Sequence, residues 1–203
     1  MSVELYLAYI VTCFIIAVIP GPTVTLIVAN SLTHGSRAGL LNVAGTQLGL
    51  GLMMLVLVVG LSSIIATMGI WFDWLRLIGA AYLIWLGWKL LRSSGGIEQA
   101  AAPRPRGGFV LQGFLVLLGN PKALLWFGAF IPQFVDPSGD YVWQVVFLGL
   151  TAMVTAGISD GGYALLAGGA RHLMSRSRAR LVSRIGGFCL IGGGAWLALA
   201  RTR

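Results

Sequence analysis

Six apolar stretches, each long enough to cross a bilayer, occupy most of this chain, and the charged residues fall largely between them. Crossing about 30 Å of hydrocarbon takes roughly 20 helical residues. The stretches lie at Glu4–Ala29, Gly39–Ala66, Trp71–Leu91, Phe109–Phe134, Tyr141–Ala170 and Leu181–Ala200. Only 10% of the 203 residues are charged and 57% are hydrophobic, whereas a soluble surface needs about a quarter charged. Lipid offers the backbone no hydrogen bonds, so each stretch must satisfy its own as a helix. The expected fold is therefore an all-α integral membrane protein with six transmembrane helices. The short hinge "TMGIWFD" separates the second and third spans, and five or seven spans are the alternative counts. The start, "MSVEL", lacks the basic region of a cleaved signal, so the first span is expected to be retained.

The net charge of +8 does not point to nucleic acid, because the basic residues have no interleaved aromatics to stack bases. They point to orientation instead. The gaps after the first, third and fifth spans hold ten basic residues: Arg37; Lys89, Arg92, Arg104 and Arg106; Arg171, Arg176, Arg178, Arg180 and Arg184. The other side has Arg76, Arg201 and Arg203 beside Glu4, Asp73, Asp136 and Asp140. Basic loops stay cytoplasmic, which puts both termini on the far side, although the tail "ARTR" pulls the other way. A Gly-, Ser- and Pro-rich linker, residues 93–108, divides the chain into halves 1–92 and 109–203. "IGAAYLIWLG" (78–87) lines up with "IGGFCLIGGG" (185–194), and "GP" (21–22) with "NP" (120–121). Three spans per half would make the second copy enter from the opposite side. Inverted repeats with matching broken helices are the pattern that marks a transporter's substrate site.

The breaks have a chemical logic. Pro20 and Pro22 cannot donate to carbonyls one turn earlier, around Ile16 and Val18. Past the break, the amides of Thr23, Val24 and Thr25 open a new half-helix. A helix start favours an anion and unpaired carbonyls favour a cation, so the break at Pro20-Gly21-Pro22 suits both ends of an amino acid. Asn120-Pro121 repeats the pattern and is expected to leave the Leu117 carbonyl unpaired.

Two charges sit inside spans: Lys122 in the fourth and Asp160 in the fifth. Each costs about 2.5–3.5 kcal/mol at a helix centre, so both should face the bundle interior. They fit either a buried ion pair, or a carboxylate-binding cation beside a carboxylate that couples proton flux. Thr151, Thr155 and Ser159 form a stripe at four-residue spacing; Asn42 and Thr46 do so on the second span, with Gln47 adjacent, and Gln112 and Asn120 lie eight apart on the fourth. These residues are expected to line a cavity. The 29 glycines include small-residue faces at "GTQLG", "GISDG" and "GGFCLIGGG" suited to close helix packing and to a homodimer. Cys13 and Cys189 read as packing residues, and His34 as a solvated loop residue. No metal site and no cofactor are indicated.

"PGP" in the first span, "GNPKA" in the fourth, "ISD" in the fifth and "IGAAYLIWLGWKLLR" in the third together resemble the LysE/RhtB family of bacterial amino-acid exporters. The resemblance implies a six-helix inner-membrane exporter of amino acids or close derivatives, driven by protons and dimeric. It carries Pro20, Gly21, Pro22, Asn120, Pro121, Lys122 and Asp160 over as the functional core. The wider superfamily includes cadmium exporters, but no membrane Cys or His cluster supports a metal substrate. An intramembrane enzyme lacks paired carboxylates or a base beside a nucleophile. A structural or assembly subunit would explain the glycine faces but not two inward charges. The combined expectation is a proton-coupled carrier working by alternating access, its partners being an amino-acid substrate, protons and the bilayer. Asp160 would handle the proton, and Pro20, Gly21, Pro22, Thr23, Thr25, Asn42, Thr46, Gln47, Asn120, Pro121, Lys122, Thr155 and Ser159 the substrate. A lining of Thr, Asn and Gln favours small neutral or hydroxylated substrates such as threonine, homoserine or its lactone.

Overall fold

The computed structural model describes residues 2–60, 68–92, 105–136, 139–173 and 176–199. These are helical throughout their regular structure: α1 Val3–Val18, α2 Pro22–His34, α3 Ser36–Gly60, α4 Met68–Leu91, α5 Gly108–Leu118, α6 Pro121–Leu125, α7 Tyr141–Gly169 and α8 Arg176–Leu199. Among the described residues α3 and α7 are each long and apolar enough to cross a membrane, and α1 with α2 are so only when taken together, as a pair bent by 49°. Large apolar side chains such as Phe14, Leu48, Trp88, Leu166 and Phe188 are exposed on the outer helix faces. That inside-out distribution is what a lipid environment requires, and the protein is a multi-pass membrane protein.

Several boundaries differ from the sequence expectation. The first span runs on through "NSLTH" to His34, because nothing stops the helix until Gly35, whose φ of 89° closes a one-residue turn into α3. His34 is therefore a half-buried helix residue with its ring edge-on to Phe109 at 5.1 Å, not a loop residue. The hinge "TMGIWFD" is helical from Met68 onward, and most of the linker at 93–108 lies outside the described residues. Cys13 is buried, whereas Cys189 is exposed rather than packed.

The stretch expected to be the fourth span is helical in pieces between Gly108 and Phe134. It breaks at Gly119-Asn120, and after α6 it widens into a π-helical turn at Trp126–Phe130 and tightens into a 3-10 turn at Ile131–Phe134. The π turn stacks Trp126 on Phe130 at 4.3 Å, and Phe130 meets Phe134 at 4.7 Å. With Tyr9 of α1 and Leu148 of α7 these rings form the larger apolar core. A second core joins Leu83 and Leu86 of α4 to Leu190 of α8. There the helices touch through glycine: a Cβ on Gly87 would fall 2.6 Å from the Gly187 carbonyl oxygen, and one on Gly194 2.8 Å from that of Ala80.

Candidate functional site

α1 ends at Val18 because Pro20 and Pro22 withhold the amides that would continue it. The freed carbonyls do not stay unpaired. Lys122 Nζ donates to the Ile16 oxygen at 3.1 Å and to the Ile19 oxygen at 2.9 Å. Ser159 Oγ donates to the Ala17 oxygen at 3.1 Å, and Tyr163 Oη to the Val18 oxygen at 2.8 Å. Four consecutive carbonyls at the break are thus capped by side chains from α6 and α7. The expected open cation site is already filled, by the protein's own ammonium and hydroxyls. The Leu117 carbonyl is likewise satisfied, accepting from the Asn120 amide at 2.9 Å.

On the far side of the break, Gly21 is extended and offers no side-chain cap, so the first amides of α2 have no intrahelical acceptor. Pro22 is buried, near Gly193 of α8, and Thr25 N–H bonds back to the Gly21 oxygen at 2.9 Å. Asn120 ties the two breaks together. Its Oδ1 caps α6 by accepting from Lys122 N at 3.0 Å, while its Nδ2 donates to Thr23 Oγ1 at 3.2 Å. Pro121 is well placed at the first position of α6, where its missing amide costs nothing.

Asp160 is 7% exposed and lies one position after Ser159, which caps the end of α1. Lys122 acts on it through space, but among the described residues the two do not close to an ion pair. The ammonium is committed to the broken helix instead. Beside Lys122 a cavity of about 60 Å³ is lined by small or apolar residues, among them Cys13, Ala17, Ala123, Phe127 and Ala152.

The remaining candidates separate into other roles. Thr155 donates to its own helix at the Thr151 oxygen, 2.8 Å, and Thr46 to the Val43 oxygen, 2.8 Å, so neither hydroxyl is spare. Gln47 faces Gly157, one turn from Asp160, with its Nε2 buried and unbonded. Asn42 is fully buried away from the breaks: it accepts from Asn30 Nδ2 at 2.7 Å and donates to the Phe109 oxygen at 2.7 Å. Asn30 also donates to Gln112 Oε1 at 2.9 Å, which knits α2, α3 and α5 into one amide cluster.

Two partners escaped the sequence reading although their spacing was visible. Tyr163 continues the stripe of Thr151, Thr155 and Ser159 by one more step of four. Asn30 shares a helix face with Thr23, seven residues earlier.

Helices interrupted inside an apolar bundle, their broken ends joined by polar side chains and flanked by a buried charge, define a membrane transporter. The chain belongs to the LysE type translocator family, whose pattern matches residues 14–201. It is a translocator rather than an enzyme. It is 35% identical over 169 residues to a homoserine/homoserine lactone efflux protein of Salmonella typhi, covering 82% of each chain. It is 28% identical over 200 residues to a leucine efflux protein of Klebsiella pneumoniae, covering 95% of this chain and 94% of that one. An uncharacterized membrane protein of Vibrio cholerae is 28% identical over 204 residues, covering 99% of this chain and 100% of the relative. No solved structure matches the chain significantly.

Proposed function

We propose that this protein exports amino acids or close derivatives across the bacterial inner membrane, exchanging them for protons by alternating access. The observation that carries the reading is the meeting of the two breaks: Asn120 bonds Thr23, and Lys122 spans back to α1, beside nearly buried Asp160. The substrate carboxylate is received by the uncapped amides at the start of α2. Its ammonium competes with Lys122 for the Ile16 and Ile19 carbonyls, and Asp160 is the acid that either cation can face. Displaced Lys122 then turns to the substrate carboxylate, so loading and the proton state of Asp160 are linked. The adjoining cavity of about 60 Å³ suits a small side chain, in keeping with relatives named for homoserine and its lactone and for leucine.

Contacts between the halves support two inverted three-helix repeats, hence six spans. An offset of 107 residues carries Ala80 to Gly187, Ile84 to Ile191 and Gly87 to Gly194. Under it the Ala80–Gly194 contact becomes Gly187–Gly87, and Gly87–Ile191 becomes Gly194–Ile84. An offset of 106 turns Gln47–Gly157 into Met153–Gly51, and one of 99 turns Thr23–Asn120 into Lys122–Gly21. Contacts that map onto one another when the halves are exchanged are what a two-fold axis between antiparallel copies produces. The basic-residue bias orients the assembly with both termini outside, and the glycine faces suit a homodimer.

The test is flux in everted vesicles with labelled homoserine and leucine under an imposed proton gradient. Gradient-dependent uptake lost in Asp160→Asn supports the reading; uptake indifferent to the gradient and to that substitution removes Asp160 and the proton from it.

A further inference from the structure

A second cavity, of about 570 Å³, opens where α2 turns into α3 and α5 begins. Its walls include Thr33, His34, Arg37, Phe109 and Arg171, with Gly107 and Gly108 at the rim. The two arginines come from different parts of the chain, one at the start of α3 and one just past α7. Arg171 lies over the α2–α3 turn, its guanidinium 3.7 Å from where a Cβ of Gly35 would stand. Among the described residues neither guanidinium is paired with a carboxylate. Two arginines lining one cavity, with no carboxylate paired to either among the described residues, favour an oxyanion, and a guanidinium can grip a carboxylate through two donors.

A cluster of amides lies behind one wall of this cavity. Phe109, in its wall, accepts at its carbonyl from Asn42 Nδ2; Asn42 Oδ1 accepts from Asn30, and Asn30 donates to Gln112 as well. Farther along the same helices, Thr23 of α2 meets Asn120 just beyond α5.

We infer that the Arg37–Arg171 cavity is the entry vestibule that captures the carboxylate of the exported solute, with the Asn30–Asn42–Gln112 cluster as the closed floor it must pass. This rests on the export reading above and adds where, and by which end, the solute is first held. It lies on the side where the sequence concentrates its basic loops.

Two measurements test it. In zwitterionic-lipid nanodiscs, trifluoroacetate serves as a carboxylate probe read by fluorine NMR. The wild type should broaden its resonance, Arg37→Gln/Arg171→Gln should not, and Arg37→Lys/Arg171→Lys should retain much of the effect. No broadening by the wild type, or equal broadening by the glutamine pair, overturns the proposal whether or not the protein transports anything. Loss of wild-type broadening when phosphatidylglycerol is included reassigns the site to a lipid headgroup and also overturns it. In vesicles, the glutamine pair should raise the half-saturation concentration for homoserine about tenfold and leave homoserine lactone, which has no carboxylate, unchanged. An equal shift for both solutes counts against a carboxylate vestibule. Failure of the wild type to move either solute defeats the export reading alone, because the probe experiment still decides the vestibule.

Discussion

Replacing Lys122 by methionine separates a structural cap from a bystander. Methionine keeps much of the side chain's length and apolar contact but removes the ammonium that holds the Ile16 and Ile19 carbonyls. Hydrogen bonds to charged groups contribute about 1.5–3 kcal/mol each, so two amount to about 3–6 kcal/mol. Removing a lysine from a helix centre returns about 2.5–3.5 kcal/mol of insertion cost. Taken low end from low end and high from high, the difference is a net loss of about 0.5–2.5 kcal/mol, because two carbonyls are left without donors where lipid supplies none. Equilibrium unfolding in mixed micelles reads this directly, with Lys122→Arg as the charge-retaining control. A Lys122→Met protein as stable as the wild type would refute the capping argument. It would also remove the ground for saying that substrate competes with Lys122 for those oxygens.

Ser159→Ala and Tyr163→Phe should each destabilise by about 1 kcal/mol in the same assay, the value of one neutral hydrogen bond. Their combination with Lys122→Met should be non-additive, because all three cap one break. Asp160→Asn should abolish proton-driven flux while changing unfolding by no more than about 1 kcal/mol, since no hydrogen bond anchors the carboxylate among the described residues. Ala152→Leu, which pushes into the cavity beside Lys122, should raise the half-saturation concentration for leucine more than for homoserine, measured as competing fluxes. Gly87→Leu should cost about 1–3 kcal/mol or more by forcing α4 away from the Gly187 backbone.

The candidate site was partly legible in advance. Proline chemistry located both breaks, because a missing amide acts at a fixed distance along its own helix. The inward placement of Lys122 and Asp160 followed from the cost of charge in lipid. Which acceptor each would find was hidden. Lys122 is over a hundred residues from Ile16 and Ile19 in sequence, and its choice of those carbonyls over an ion pair with Asp160 depends on where packing sets it relative to the end of α1. Asn42 shows the same limit. Its four-residue step to Thr46 suggested a cavity lining, yet both are buried and Asn42 meets α5 rather than the breaks, as Gly113 against the Asn42 carbonyl makes plain.

By itself the sequence determined that this chain lives in lipid as helices, where those helices must break, and that two charges must turn inward. Those conclusions follow from local covalent chemistry and from solvation, which act residue by residue. Only the tertiary structure decided that the broken end would be capped by the protein's own lysine, serine and tyrosine, that Asn120 would tie the two breaks together, and that Arg37 and Arg171 would share a cavity. Partners brought together from opposite ends of a chain are selected by packing geometry, which no single segment encodes.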